Sequence, residues 1–157
     1  MQLGIIGLGR MGGNIARRLM RNGHHVIAYD RNKETLKALA DAGATGADSL
    51  QDLVLRLPRP RTLWLMLPAG EITEHMVNTL SEILEADDVI IDGGNSLYKD
   101  DIRRGRALRQ RGLHYVDVGT SGGVWGLERG YCMMIGADVD IFQRLEPIFE
   151  ALAPGYG

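Results

Sequence analysis

The segment Gly7-Leu8-Gly9-Arg10-Met11-Gly12 constrains this chain more than any other. It is a G-x-G-x-x-G run. It follows the apolar stretch Gln2–Gly7 and opens a stretch, Arg10–Asn22, whose apolar residues Met11, Ile15, Leu19 and Met20 recur at helical spacing. Strand, glycine turn and helix in that order make the first part of a β-α-β unit. Each glycine has a physical reason to be there. Gly7 permits the tight turn, Gly9 lets the backbone approach a pyrophosphate, and Gly12 lets helix and strand pack closely. Free N–H groups and the positive end of the helix then meet the phosphates.

The rest of the chain repeats the alternation. Strands are expected at His25–Asp30, Thr62–Leu67, Asp88–Asp92, His114–Val118 and Tyr131–Ile135. Helices are expected at Lys33–Ala42, Asp48–Leu57, Glu71–Leu84, Lys99–Arg111 and Asp138–Leu152, with Asp48 or Ser49 as an N-cap. Gly119–Gly130 reads as a glycine-rich loop. This is the pattern of an α/β protein, a doubly wound, mostly parallel sheet of the Rossmann type, with residues 1–157 forming one domain. Near-continuous apolar strands such as Leu3-Gly4-Ile5-Ile6 fit burial on both faces. Ligands of such folds bind beyond the carboxyl ends of the strands, so chemistry belongs in the residues just after each one.

Asp30 ends the second strand, roughly 20 residues beyond the glycines, where a carboxylate can bond both ribose hydroxyls of NAD. A 2′-phosphate there would repel it by about 4 kcal/mol at 4 Å and an effective dielectric near 20. NAD is therefore expected and NADP disfavoured, although Arg31 can pair with a 2′-phosphate or stack on adenine. Asp30 can also be read as a turn residue or helix cap.

Three further strand ends carry candidates. Leu67-Pro68-Ala69-Gly70 leaves room for a flat ligand such as nicotinamide, and reads equally as an ordinary turn. Asp92-Gly93-Gly94-Asn95-Ser96 allows close backbone approach, and Asn95 offers donor and acceptor groups for hydroxyls or a carboxamide. In Gly119-Thr120-Ser121-Gly122-Gly123, Ser121 and backbone amides suit an anionic or hydroxylated substrate. Trp125 reads as packing or as a substrate wall, and Trp64 as core. None of His24, His25, His75 and His114 follows a parallel strand, so none makes a good general base. Cys132 reads as a buried, inert thiol, and Asp117 as a structural hydrogen-bonding group.

Composition removes other classes. Apolar residues make up 45% of the 157, enough for a core, and the net charge of −2 comes without a basic run, so neither nucleic acid nor membrane is an expected partner. A single cysteine excludes an intrachain disulfide, and no Cys/His cluster has zinc-ligand spacing, so no metal is expected. With no signal-peptide pattern and no long apolar span, a cytoplasmic setting is expected.

GLGRMG at Gly7–Gly12, DGGNS at Asp92–Ser96 and SGG at Ser121–Gly123, in that order, resemble 6-phosphogluconate dehydrogenase. The stretch Gly119–Ala137 looks especially like its short, NAD-preferring bacterial form. The resemblance implies oxidation of 6-phosphogluconate at C3 and loss of CO2, giving ribulose 5-phosphate. It implies cofactor contacts at Gly7, Leu8, Gly9, Arg10, Met11, Gly12, Asp30, Arg31, Leu67, Pro68, Ala69 and Asn95, and substrate contacts at Asn95, Ser121, Gly122 and Gly123. NADP-using members carry Asn-Arg-Thr where Asp30-Arg31-Asn32 stands, and acidic residues where Val124-Trp125 stands.

The family's catalytic lysine lies in a K-x-x-H-N segment that this chain does not contain. An all-helical second domain would carry it and most of the dimer contact. The chain is thus expected to be the N-terminal domain of a longer homo-oligomer, binding cofactor with little turnover of its own. Two other readings stand beside this one. A 3-hydroxyisobutyrate-type dehydrogenase usually has a serine-threonine pair where Asn95-Ser96 stands. A non-catalytic NAD-sensing module also accounts for the missing lysine.

Overall fold

The computed structural model describes residues 1–94 and 98–154, apart from the side chains of Tyr98 and Val124. The elements are β1 (Gln2–Ile6), α1 (Arg10–Arg21), β2 (His25–Tyr29), α2 (Lys33–Asp41), β3 (Thr45–Gly46), α3 (Leu50–Arg56), β4 (Thr62–Leu65) and α4 (Glu71–Ile83). They continue with β5 (Val89–Asp92), α5 (Tyr98–Gln110), β6 (His114–Ser121), a 3-10 turn (Gly123–Trp125), α6 (Gly126–Arg129), β7 (Cys132–Gly136) and α7 (Val139–Leu152). All strands join one sheet in the order β3-β2-β1-β4-β5-β6-β7. β1 to β6 are parallel, and β7 runs antiparallel to β6.

Helices on both faces explain why the central strands are apolar throughout. On one face Leu3, Ile5, Val26, Trp64, Ile91 and Val116 pack against Ile15 and Leu19 of α1 and Leu145, Ile148 and Leu152 of α7. On the other, Ile6, Ile27, Leu63, Leu65 and Ile90 meet Leu53 and Val54 of α3, Val77 and Leu80 of α4 and Leu108 of α5. Ser49, not Asp48, caps α3: its hydroxyl accepts from Asp52 N at 3.0 Å. No described helix is long and apolar enough to cross a membrane.

The chain runs outward from β1 to β3, then returns to β4 and runs the other way. This reversal puts a topological switch point between β1 and β4, the place where doubly wound sheets bind ligands. The opposite edge is closed by charge. The buried Asp88 carboxylate accepts from Arg61 N at 2.6 Å, Arg61 Nη1 at 3.2 Å and Glu85 N at 2.9 Å, fastening the starts of β4 and β5.

Four expectations are corrected. β3 was not expected, being too short to show a period. The expected loop at Gly119–Gly130 is largely regular: pairing with β7 carries β6 on through Ser121, and Gly123–Arg129 is helical. The last strand starts at Cys132, while Tyr131 is buried. Cys132 is exposed rather than buried, because β7 is an edge strand. Its Met133 and Ile135 turn to the α1 and α7 core, whereas Cys132 and Met134 alternate onto the other face, where Met134 is 82% exposed.

Candidate cofactor site

Backbone pairing continues one residue past the strands. Gly7 N donates to Tyr29 O at 3.2 Å, Met66 N to Ile6 O at 2.9 Å and Gly93 N to Leu65 O at 2.9 Å. The glycine loop, the turn after β4 and the loop after β5 therefore leave the sheet side by side. A Cβ on Gly7, whose φ is +93°, would strike the Met66 carbonyl oxygen, and one on Gly12 would strike the Gly7 carbonyl oxygen. Both positions exclude a side chain for reasons internal to the fold. Gly9 differs, since nothing lies within 4 Å of where its Cβ would be. The fold does not demand glycine there. The space over Gly9 is open, so a ligand could approach the backbone closely there. Gly9 is also the N-cap of α1, which has no side-chain cap and no acid in its first turn, so nothing within the helix itself compensates its positive end.

Asp30 is the hinge of the site. Its Oδ2 accepts from Leu8 N at 2.7 Å and its Oδ1 from Asn32 N at 2.7 Å. The carboxylate is thereby fixed against the glycine loop, with lone pairs to spare for ribose hydroxyls. The cap of α2 belongs to Asn32, which accepts from Glu34 N and Thr35 N. Asp30 and Arg31 border a groove of about 580 Å³, walled by Ile6, Tyr29, Leu67 and Pro68 and, across from them, by Leu50 and by Ile72, His75 and Met76 of α4. An apolar slot beside a fixed carboxylate suits an adenosine, base in the slot and ribose on the acid. Leu50, Ile72, His75 and Met76 were not anticipated. The sequence signal for them is an apolar Ile72 in the otherwise polar first turn Glu71-Ile72-Thr73-Glu74, and it is 54% exposed.

The turn after β4 is held by Thr73 Oγ1, which donates to Pro68 O at 2.7 Å, while Pro68 and Ala69 are exposed. Gly94 lies against this turn, for a Cβ there would strike the Leu67 carbonyl oxygen. The buried Asp92 carboxylate roots the second loop by accepting from Gly94 N at 2.9 Å and Tyr115 OH at 3.0 Å. Asn95 and Ser96 lie outside the described residues.

At the end of β6, Ser121 is exposed, Gly122 backs onto the Tyr131 ring, and Gly123 turns into the helical segment with φ +51°. Thr120 Oγ1 donates to the Met11 sulfur at 3.2 Å, so the first turn of α1 and the Ser121–Gly123 segment are neighbours. Arg10 is exposed beside them. Trp125 is not core: it is 59% exposed, with the Arg129 guanidinium 4.8 Å above its ring. Asp117 stands back from this edge, half-buried, and burial followed by the nearby Asp92 charge pushes its carboxyl up. His25 and His114 begin their strands, and His114 Nε2 lies 2.9 Å from Asp87 Oδ1.

Switch-point topology, glycine loop and fixed acid are together the features of a dinucleotide-binding domain. The model of the family described as the NAD binding domain of 6-phosphogluconate dehydrogenase matches residues 2–156, and the chain belongs to that family. It is 44% identical over 155 residues to the NAD(+)-dependent, decarboxylating 6-phosphogluconate dehydrogenase of Haloferax volcanii, covering 99% of this chain and 51% of that protein. The chain thus spans about half the length of that relative. Among solved structures, 6-phosphogluconate dehydrogenase of Plasmodium falciparum superposes with a TM-score of 0.91 at 27% identity, over 100% of this chain and 35% of that one. The Mycobacterium tuberculosis 3-hydroxyisobutyrate dehydrogenase superposes with a TM-score of 0.88 at 24% identity, over 97% of this chain and 52% of that one, a likeness of fold alone.

Proposed function

We propose that this chain is the cofactor half of a decarboxylating 6-phosphogluconate dehydrogenase that prefers NAD to NADP. The observation that carries the cofactor preference is the Asp30 carboxylate, held by Leu8 N and Asn32 N at the mouth of the groove. A 2′-phosphate would meet a fixed negative charge there. In this reading the adenine enters the groove beside Arg31, the ribose bonds Asp30, and the pyrophosphate lies over Gly9 and the start of α1, flanked by Leu8, Arg10 and Met11. Leu67, Pro68 and Ala69 lie between the groove and the nicotinamide, and Asn95 is assigned to the nicotinamide from the sequence pattern alone. Bound NAD supplies a hydride acceptor.

Substrate contacts fall to Ser121, Gly122 and Gly123, next to the α1 turn through the Thr120–Met11 contact, and to Asn95. The substrate assignment is supported by DGGNS at Asp92–Ser96 together with SGG at Ser121–Gly123. Oxidation of a hydroxyl needs a positioned base, and this sequence contains no K-x-x-H-N segment, so the chain binds cofactor without supplying that base. The test is absorbance-monitored reduction of NAD by the full gene product, with 6-phosphogluconate or 3-hydroxyisobutyrate as substrate. Reduction with CO2 release from 6-phosphogluconate alone is expected. Turnover of 3-hydroxyisobutyrate alone would overturn the substrate assignment.

A further inference from the structure

Arg104 lies on α5, a helix that supplies none of the site residues named above, and it is only 2% exposed. Its Nε donates to Glu74 Oε2 of α4 at 2.7 Å. Its Nη2 lies 3.5 Å from the Gly70 carbonyl oxygen, in the turn after β4. Its Nη1 lies 3.6 Å from Asp92 Oδ2 at the end of β5. Asp92 in turn holds Gly94 N through its other oxygen. One buried guanidinium therefore bridges the two loops that meet where Gly94 abuts the Leu67 carbonyl.

The pairing on the outer surface does not need this residue. Glu74 is already engaged by Arg103 through Nη1 at 2.7 Å and Nη2 at 2.8 Å. What Arg104 adds is the span. The planar fork makes a short bond to α4 through Nε, lies at 3.5 Å from the Gly70 carbonyl through Nη2, and faces the Asp92 carboxylate at ion-pair distance through Nη1, a spread that a lysine point charge cannot match.

We infer that Arg104 is a positioning residue for the nicotinamide side of the site, setting the gap between the Leu67–Gly70 turn and the Gly93-Gly94 loop. The inference rests on the nucleotide reading above and deepens it. A dinucleotide straddles the switch point, with its adenosine half over β1 and β2 and its nicotinamide half over β4 and β5. Asp30, Arg31, Tyr29 and Leu50 belong to the first half and the Gly93-Gly94 loop to the second, while the turn after β4 lies between them, with Leu67 and Pro68 on the groove and Gly70 against Arg104. Loosening Arg104 acts chiefly on the nicotinamide side, because its contacts run to Glu74, Gly70 and Asp92 and not to Asp30 or Arg31.

The test is calorimetric titration of the chain with NAD and with ADP-ribose, which lacks only the nicotinamide. Wild type binds NAD more tightly than ADP-ribose. Arg104→Lys weakens NAD about 10-fold, the scale of coupling through a positioning contact, and leaves ADP-ribose within about 2-fold. Glu74→Gln moves the ratio in the same direction and carries the test where Arg104→Lys fails to fold. Arg103→Gln leaves the ratio unchanged. A structural role alone lowers the melting temperature without moving the ratio. Variants that stay folded and keep the wild-type ratio overturn the inference. Equal wild-type affinity for the two ligands also overturns it while leaving the adenosine site standing. Wild-type binding of neither ligand removes the nucleotide reading and the inference with it.

Discussion

Replacing Asp30 by alanine separates the two things its carboxylate does. Toward the protein, Oδ2 and Oδ1 accept from Leu8 N and Asn32 N, each at 2.7 Å. Leu8 is buried, so its N–H loses a partner, at about 1–3 kcal/mol of stability. That loosening of the glycine loop affects NAD and NADP alike and cancels in their ratio. Toward the ligand, a charge-assisted bond to the ribose of NAD is lost, about 1.5–3 kcal/mol. For NADP the repulsion disappears. At about 4 Å and an effective dielectric near 20 it is about 4 kcal/mol, and relaxation with Arg31 nearby leaves roughly half. Together these shift the NAD-to-NADP preference by at least about 3 kcal/mol, or roughly 100-fold. Calorimetric titration of wild type and Asp30→Ala with both cofactors at one salt concentration measures it. A folded variant that binds both with the wild-type ratio refutes the assignment of Asp30 to the ribose.

Other outcomes follow from the same geometry. Gly12→Ala places a Cβ on the Gly7 carbonyl and destabilises by about 1–3 kcal/mol or more, read by thermal denaturation. Gly9→Ala meets nothing within 4 Å, so it leaves stability within about 0.5 kcal/mol but weakens NAD binding. Glu74 is lowered from 4.5 to about 2, chiefly by hydrogen bonding to Arg103 and then to Arg104. A depressed carboxylate stabilises fully above its unfolded value, and that contribution is lost as the pH falls from about 4.5 toward 2. The gap in denaturant midpoint between wild type and Glu74→Gln should therefore close over that window. Cys132, exposed on the edge strand, should react with a thiol reagent in the native state, and protection until unfolding would contradict its placement.

Much of the fold was legible because its signals are local. Gly7, Gly9 and Gly12 mark the first turn, and apolar runs such as Val89–Asp92 bound the strands within a residue or two. Asp30 was legible through its distance from the glycines, but its bond to Leu8 N was not, since that bond forms only once β1 and β2 pair. The groove beside Asp30 as a whole is not legible in the sequence, for the same reason. Leu50 and Met76 have no mutual sequence signature and meet only when α3 and α4 cover the sheet. The length of β6 escaped because glycines at Gly119 and Gly122 read as a loop, whereas antiparallel pairing with β7 keeps that backbone extended through Ser121. Cys132 is exposed because β7 is an edge strand, where a strand residue need not be covered on both faces.

In the proposed function a glycine loop and a fixed acid give this chain its preference for NAD over NADP. The most direct test of that preference is calorimetric titration of the wild-type chain with each cofactor at equal salt. Tighter binding of NAD, by at least about 10-fold given a residual repulsion above 1.4 kcal/mol, is the expected result. Tighter binding of NADP would mean that Arg31 outweighs Asp30 and would contradict the account.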